Sequence, residues 1–129
     1  RQQQAWLQSN LRTTVYPRLH QAIPNARIVH VGYPRITPTS NRRCGWLNNR
    51  EANTADQLVR RLNSTIRDAA ARSGSARVEY VDVYGALAGH ELCTSNAFVN
   101  PIGVGAGAEQ GHLTEAGQRR IAEVVLGQL

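Results

Sequence analysis

Near the C-terminus the sequence reads Glu109-Gln110-Gly111-His112-Leu113-Thr114, directly after a glycine-rich stretch, Gly103-Val104-Gly105-Ala106-Gly107. An imidazole accepts a proton near neutral pH, which makes histidine the most frequent general base. A carboxylate three positions earlier in the chain lies close to it along a single turn. There it can bind the other ring nitrogen, set the tautomer and stabilise the imidazolium that forms. A helical pattern comes next, so His112 stands near a helix N-terminus, whose positive end disfavours imidazolium and keeps the ring available as a base. The chemistry on offer is activation of a hydroxyl nucleophile. The glycine-rich stretch has Gly-x-Gly-x-Gly spacing but follows no strand, so it reads as a loop bordering the site and not as a phosphate cradle.

The elements that must position this pair are legible from periodicity. Leu7, Leu11, Val15, Leu19 and Ala22 or Ile23 recur at helical spacing over Gln3–Ala22, with Pro17 set to kink or interrupt the helix. Ala26–Tyr33 is a short β-branched run of the kind buried on both faces in parallel sheets. Arg35–Asn53 is a long polar loop. Thr54-Ala55-Asp56-Gln57 has the form of a capping box and predicts a helix to about Arg72, with Leu58, Leu62, Ile66, Ala69 and Ala70 inward. Arg77–Tyr84 alternates as a second strand, with Val78, Tyr80 and Asp82 on one face. A second long loop comes after it, and Thr114 caps a last helix with Ile121, Val124, Val125 and Leu129 inward. This alternation predicts an α/β layer structure with parallel strands. Two strands are too few for a covered parallel sheet, so the chain reads as the second half of a doubly wound domain.

Composition narrows the classes. The chain has 129 residues, a length that suits one domain, and a net charge of +6. All of its basic residues are arginines, spread along the chain with doublets only at Arg42-Arg43, Arg60-Arg61 and Arg119-Arg120. Without a basic run or interleaved aromatics this is a solvated arginine-rich surface and not a nucleic-acid footprint. Cys44 and Cys93 stand far apart, each in a turn-rich segment, and two cysteines make no zinc site. They read as a disulfide between two loops in an oxidising compartment, the other reading being two unrelated buried thiols. His20, His30 and His90 lack ligand spacing and read as structural or surface residues, as do Asp82 and Tyr84; Trp46 reads as packing under its loop. No stretch is apolar and long enough to span a membrane.

Taken in order, Ala26-Arg27-Ile28-Val29-His30-Val31-Gly32-Tyr33-Pro34, Val78-Glu79-Tyr80-Val81-Asp82-Val83, Gly89-His90-Glu91-Leu92-Cys93, Phe98-Val99-Asn100-Pro101 and His112-Leu113-Thr114-Glu115-Ala116-Gly117-Gln118 resemble the C-terminal half of a secreted actinobacterial SGNH (GDSL-type) hydrolase. The resemblance covers most of the chain, from about Ala22 onward. It implies a flavodoxin-like α/β/α fold with a parallel sheet, a secreted location, no cofactor, and hydrolysis of a lipid or acylated-carbohydrate ester through an acyl-serine. In that family the serine and its glycine and asparagine oxyanion donors lie in upstream blocks. This sequence contains neither Gly-Asp-Ser nor Gly-x-Asn-Asp. It carries the last block, usually Asp-x-x-His-Pro. His112 matches the base and Glu109 takes the acid position with one extra methylene, while Leu113 replaces the proline. Some relatives orient the histidine by a backbone carbonyl instead. The expectation is one domain over 1–129, the C-terminal portion of a hydrolase. The Ser-bearing N-terminal half would be its partner, as a separate or missing segment. The alternative is a non-catalytic basic module that binds anionic cell-wall polymer or nucleic acid.

Overall fold

The computed structural model describes residues 1–38, 44–45 and 47–129; Arg42-Arg43 and Trp46 lie outside the described residues. The described chain gathers into two compact units, 1–33 with 60–82 and 34–59 with 83–129.

In the first unit the N-terminal helical segment has three pieces: α1, Gln2–Asn10; a widened π turn, Leu11–Val15; and α2, Tyr16–Ala22. Proline has no N–H to offer the preceding turn. Pro17 therefore interrupts the ladder as expected, and the chain absorbs the break in the π turn, where the Tyr16 N–H donates to the Leu11 carbonyl. The wider turn also rotates the residues after it about the helix axis. Leu7 and Leu11 face the core as their spacing predicts, but Tyr16 is buried where Val15 was expected. Val15, Leu19 and Ile23 are exposed, which corrects the predicted inner face.

Strand β1, Ile28–Val31, pairs in parallel with β2, Val78–Val81, with Ile28 opposite Val78 and Val31 opposite Val81. The α/β class with parallel strands is as predicted. The strands are shorter than the predicted runs, and β1 is half-buried along its length instead of covered on both faces. Among the described residues β2 is its sole partner strand, so less of β1 is shielded. Asp82 does not continue the inward face of β2; it turns outward to an ion pair with Arg67 at 2.8 Å. Tyr16, Ile66, Ala69, Ala70 and Val78 form the core with Leu11. His30 is a structural histidine, as predicted: the Tyr16 hydroxyl meets its Nδ1 at 2.9 Å. Burial lowers the His30 pKa and raises that of Tyr16, so both stay neutral.

Helix α3, Asn49–Ala71, begins earlier than predicted. The working capping box is Asn48-x-x-Glu51. The Asn48 Oδ1 accepts the N–H groups of Arg50 and Glu51 at 2.9 and 3.1 Å, and the Glu51 carboxylate accepts the Asn48 N–H at 2.8 Å. Thr54 is no cap; its hydroxyl donates to the Arg50 carbonyl within the helix. Leu58 is exposed, because the inward stripe runs through Ala52, Val59, Asn63, Ile66 and Ala70, one residue off the predicted start. Asn63 is a buried polar residue with a clear task. Its Oδ1 accepts the Tyr33 N–H and its Nδ2 donates to the Tyr33 carbonyl, both at 2.8 Å. The side chain thus clasps the backbone just beyond β1 as another strand would. Asn63→Ala leaves both backbone groups unpaired. We expect a loss of about 1–3 kcal/mol in chemical denaturation, against a much smaller loss for the exposed Leu58→Ala.

In the second unit Cys44, Leu87, Leu92 and Val99 form a separate core, packed by Ile36, Leu47, Phe98, Ile102, Leu113 and Ile121. Helix α4, Glu115–Gln128, sends Ile121 into it; Leu129 comes after the helix and is exposed, contrary to the predicted inner face. Cys44 and Cys93 are joined in a disulfide, with Cα atoms 5.5 Å apart. Reduction is expected to lower stability by ~2–4 kcal/mol, seen as a fall in melting temperature under a dithiol reductant. No helix among the described residues is long and apolar enough to cross a membrane.

Candidate active site

His112 lies on a short antiparallel pairing instead of a free loop. Val99 bridges Leu113. The Asn100 N–H donates to the His112 carbonyl at 2.8 Å, the Gly111 N–H to the Asn100 carbonyl at 3.2 Å, and the Thr114 N–H to the Phe98 carbonyl at 2.9 Å. Val99 is in the core of this unit and Leu113 packs against it, so the pairing is anchored by apolar burial on both of its strands. Gly111 enters the pairing with φ +71°, a conformation that favours glycine. Thr114 ends it and starts α4: its hydroxyl accepts the Gly117 N–H at 3.2 Å and donates to the Phe98 carbonyl at 3.2 Å.

Gly117 is the least expected member of this arrangement. Glycine inside a helix costs about 0.5–1 kcal/mol relative to alanine. Here a Cβ would collide with the Phe98 carbonyl oxygen, the same atom that Thr114 engages. The absent side chain lets the helix approach the strand that holds His112. Gly117→Ala should therefore destabilise the protein, by about 1–3 kcal/mol in urea titration, although alanine is the better helix former.

The side chains of the pair are open. His112 is 70% exposed and Glu109 76%, and the carboxylate Oε2 lies 4.0 Å from Nδ1. That separation exceeds a hydrogen bond, about 2.7–3.2 Å. Glu109 is thus an electrostatic neighbour that must close in before it can hold the ring. The structure brings together Glu109 and His112, and separately Cys44 and Cys93; it places His20 on α2 and His30 on β1, in the other unit. Among the described residues no three histidine, cysteine, aspartate or glutamate side chains gather as a metal site.

A buried ion pair supports the loop before Cys93, and sequence reasoning missed it. The Glu91 side chain is 5% exposed and accepts from Arg35 at 2.5 Å and from the Gly89 N–H at 2.8 Å. Arg35 also lies over the Tyr84 ring, and its backbone N–H donates to the Tyr84 carbonyl at 2.9 Å. Next to it, His90 stacks on Phe98 at 3.9 Å between ring centroids, and its Nδ1 meets the Asn96 carbonyl at 2.8 Å. The one signal in sequence was an acid set between apolar Leu92 and the loop turn. Burial alone would raise the Glu91 pKa, but the Arg35 hydrogen bond and charge and the backbone N–H groups hold it below the ordinary value. A depressed carboxylate contributes stability above its unfolded-state pKa and loses it as pH falls through the folded one. Stability should drop in acid below the ordinary glutamate range. Glu91→Gln should lower stability at neutral pH and flatten that acid limb, as measured by denaturation midpoints across pH.

No protein-family model matches the chain. It is 30% identical over 126 residues to Lipase 2 of Streptomyces coelicolor, covering 88% of this chain and 42% of that protein. It is 31% identical over 107 residues to Lipase 1 of the same organism, covering 81% and 37%. Among solved structures, phospholipase A1 from Streptomyces albidoflavus superposes with a TM-score of 0.77 at 25% identity, covering 95% of this chain and 54% of that one. Over most of its length the chain is thus similar to lipases of Streptomyces. The extracellular lipase of Streptomyces rimosus shares the fold, with a TM-score of 0.70 at 24% identity over 94% of this chain and 53% of that one. The chain spans about half the length, or less, of the lipases it matches.

Proposed function

We propose that this chain is the base-bearing, C-terminal portion of a secreted serine ester hydrolase that acts on lipid esters. The observation that carries the reading is the presentation of His112. Its backbone is pinned by the pairing with Phe98–Asn100 and by the α4 cap, while its ring stands open beside Glu109. The similarity to proteins named lipases and phospholipase A1 supports the substrate class. The disulfide agrees with an oxidising compartment.

In this mechanism an N-terminal segment supplies the serine and the oxyanion donors. His112 takes the serine proton as the oxygen attacks the ester carbonyl. The tetrahedral intermediate collapses to an acyl-serine, and His112 passes its proton to the departing alkoxide. Water then attacks the acyl-serine with the same base assistance, releasing the carboxylic acid and restoring the serine. Glu109 favours the imidazolium formed in each half-reaction. At 4.0 Å and in contact with solvent its hold is loose.

In the full-length protein, His112→Ala should lower kcat/KM on a short nitrophenyl ester by about 10²–10⁴-fold. Glu109→Gln should cost no more than about tenfold, because its separation leaves it without a formed hydrogen bond. Unchanged turnover in His112→Ala would remove the base assignment. Steep salt-dependent binding to a polyanion with no ester turnover would point instead to a basic binding module.

A further inference from the structure

The loop before His112 is built to project one apolar side chain. Ile102 packs into the core of its unit at the base of the loop. The Gly103 N–H donates to the Gln110 Oε1 at 3.1 Å, closing the loop neck, and the Ala106 N–H donates to the Gly103 carbonyl at 3.2 Å, turning the tip back on itself. Gly103, Gly105 and Gly107 all have positive φ, with values of 152°, 83° and 74°. Val104 stands at the tip and is the most exposed of the large hydrophobic residues described. From Thr94 through Ala108 the sequence carries no charged residue, although 19% of the chain is charged.

We infer that the tip of this loop, Val104 with Ala106 and Ala108, is an anchor that inserts into the surface of an aggregated ester lipid and sets His112 at that surface. The inference rests on the reading of His112 as an esterase base. A second protein is a poor occupant: a stable interface needs about 800 Å² from each partner, and one valine with the two alanines after it offers a small fraction of that. A lipid surface accepts isolated apolar side chains, each held by the area it removes from water. The charge-free stretch favours a neutral surface over anionic headgroups. The arginine excess lies elsewhere in the chain, so the anchor should work without it.

The test is partition of the full-length protein onto vesicles of diether phosphatidylcholine, which presents a neutral lipid surface with no ester to cleave. Wild type should bind, with partition insensitive to salt. Val104→Asp should bind on the order of tenfold more weakly or less. In Val104→Trp the new indole should shift to the blue and be shielded from acrylamide on binding. Absence of wild-type binding overturns the anchor. So does equal partition of Val104→Asp and wild type, an indole that stays quenchable on vesicles, or partition that collapses with salt. His112→Ala separates the two ideas: it should lose turnover and keep its partition. Turnover retained in that variant sinks the esterase reading, whereas His112-dependent turnover with an unaltered Val104→Asp partition sinks the anchor alone.

Discussion

One carbonyl oxygen, that of Phe98, holds the presentation of His112 together. It accepts from the Thr114 backbone and hydroxyl, and it lies against the bare Cα of Gly117. A strand end, a helix cap and a helix interior therefore converge on one acceptor. The bridge between Val99 and Leu113 places apolar weight behind it. Any increase in the distance between α4 and the Phe98 segment would lose both Thr114 hydrogen bonds to that oxygen and strain the Val99–Leu113 bridge beside them. The backbone of the candidate base is held by hydrogen bonds while its ring is open to solvent, an arrangement suited to proton transfer to a positioned partner.

Around that point the second unit is tied by bonds of different kinds. The disulfide joins the two long loops covalently. The Arg35–Glu91 pair ties the start of one to the turn of the other electrostatically, and Leu92 continues the link through its N–H to the Ile36 carbonyl at 2.9 Å. Long loops survive in compact proteins when tied in such ways. Removing one partner of a buried pair leaves an uncompensated charge, so this tie is unforgiving of single substitutions.

How much of this could be read from the residues depended on whether the signal was periodic or geometric. The parallel α/β order, the Thr114 cap and the proximity of Glu109 to His112 stem from short-range patterns and were legible. The inner face beyond Leu11 was not, because spacing assumes a uniform helix and the π turn from Leu11 to Val15 shifts the face that follows. The start of α3 was misplaced because two capping boxes compete, Asn48 with Glu51 and Thr54 with Gln57, and the choice depends on which lets Ala52 and Val59 turn inward. Gly117 and Glu91 were illegible for a further reason. Each is explained by an atom distant in sequence, the Phe98 oxygen or the Arg35 guanidinium, and no local pattern announces it.

The disulfide has two unlike ends. Cys93 is exposed and holds a left-handed backbone, φ 64°, whereas Cys44 is buried among Leu87, Leu92 and Val99. Exchange with an outside thiol is therefore directional. The incoming thiolate meets the Cys93 sulfur, and the leaving thiolate is that of Cys44, released into apolar surroundings that penalise its charge. That sulfur is held within reach of the bond it has just lost, and its most favourable course is to attack the mixed disulfide and expel the intruder. The bond between the two loops resists exchange through the poverty of its leaving group.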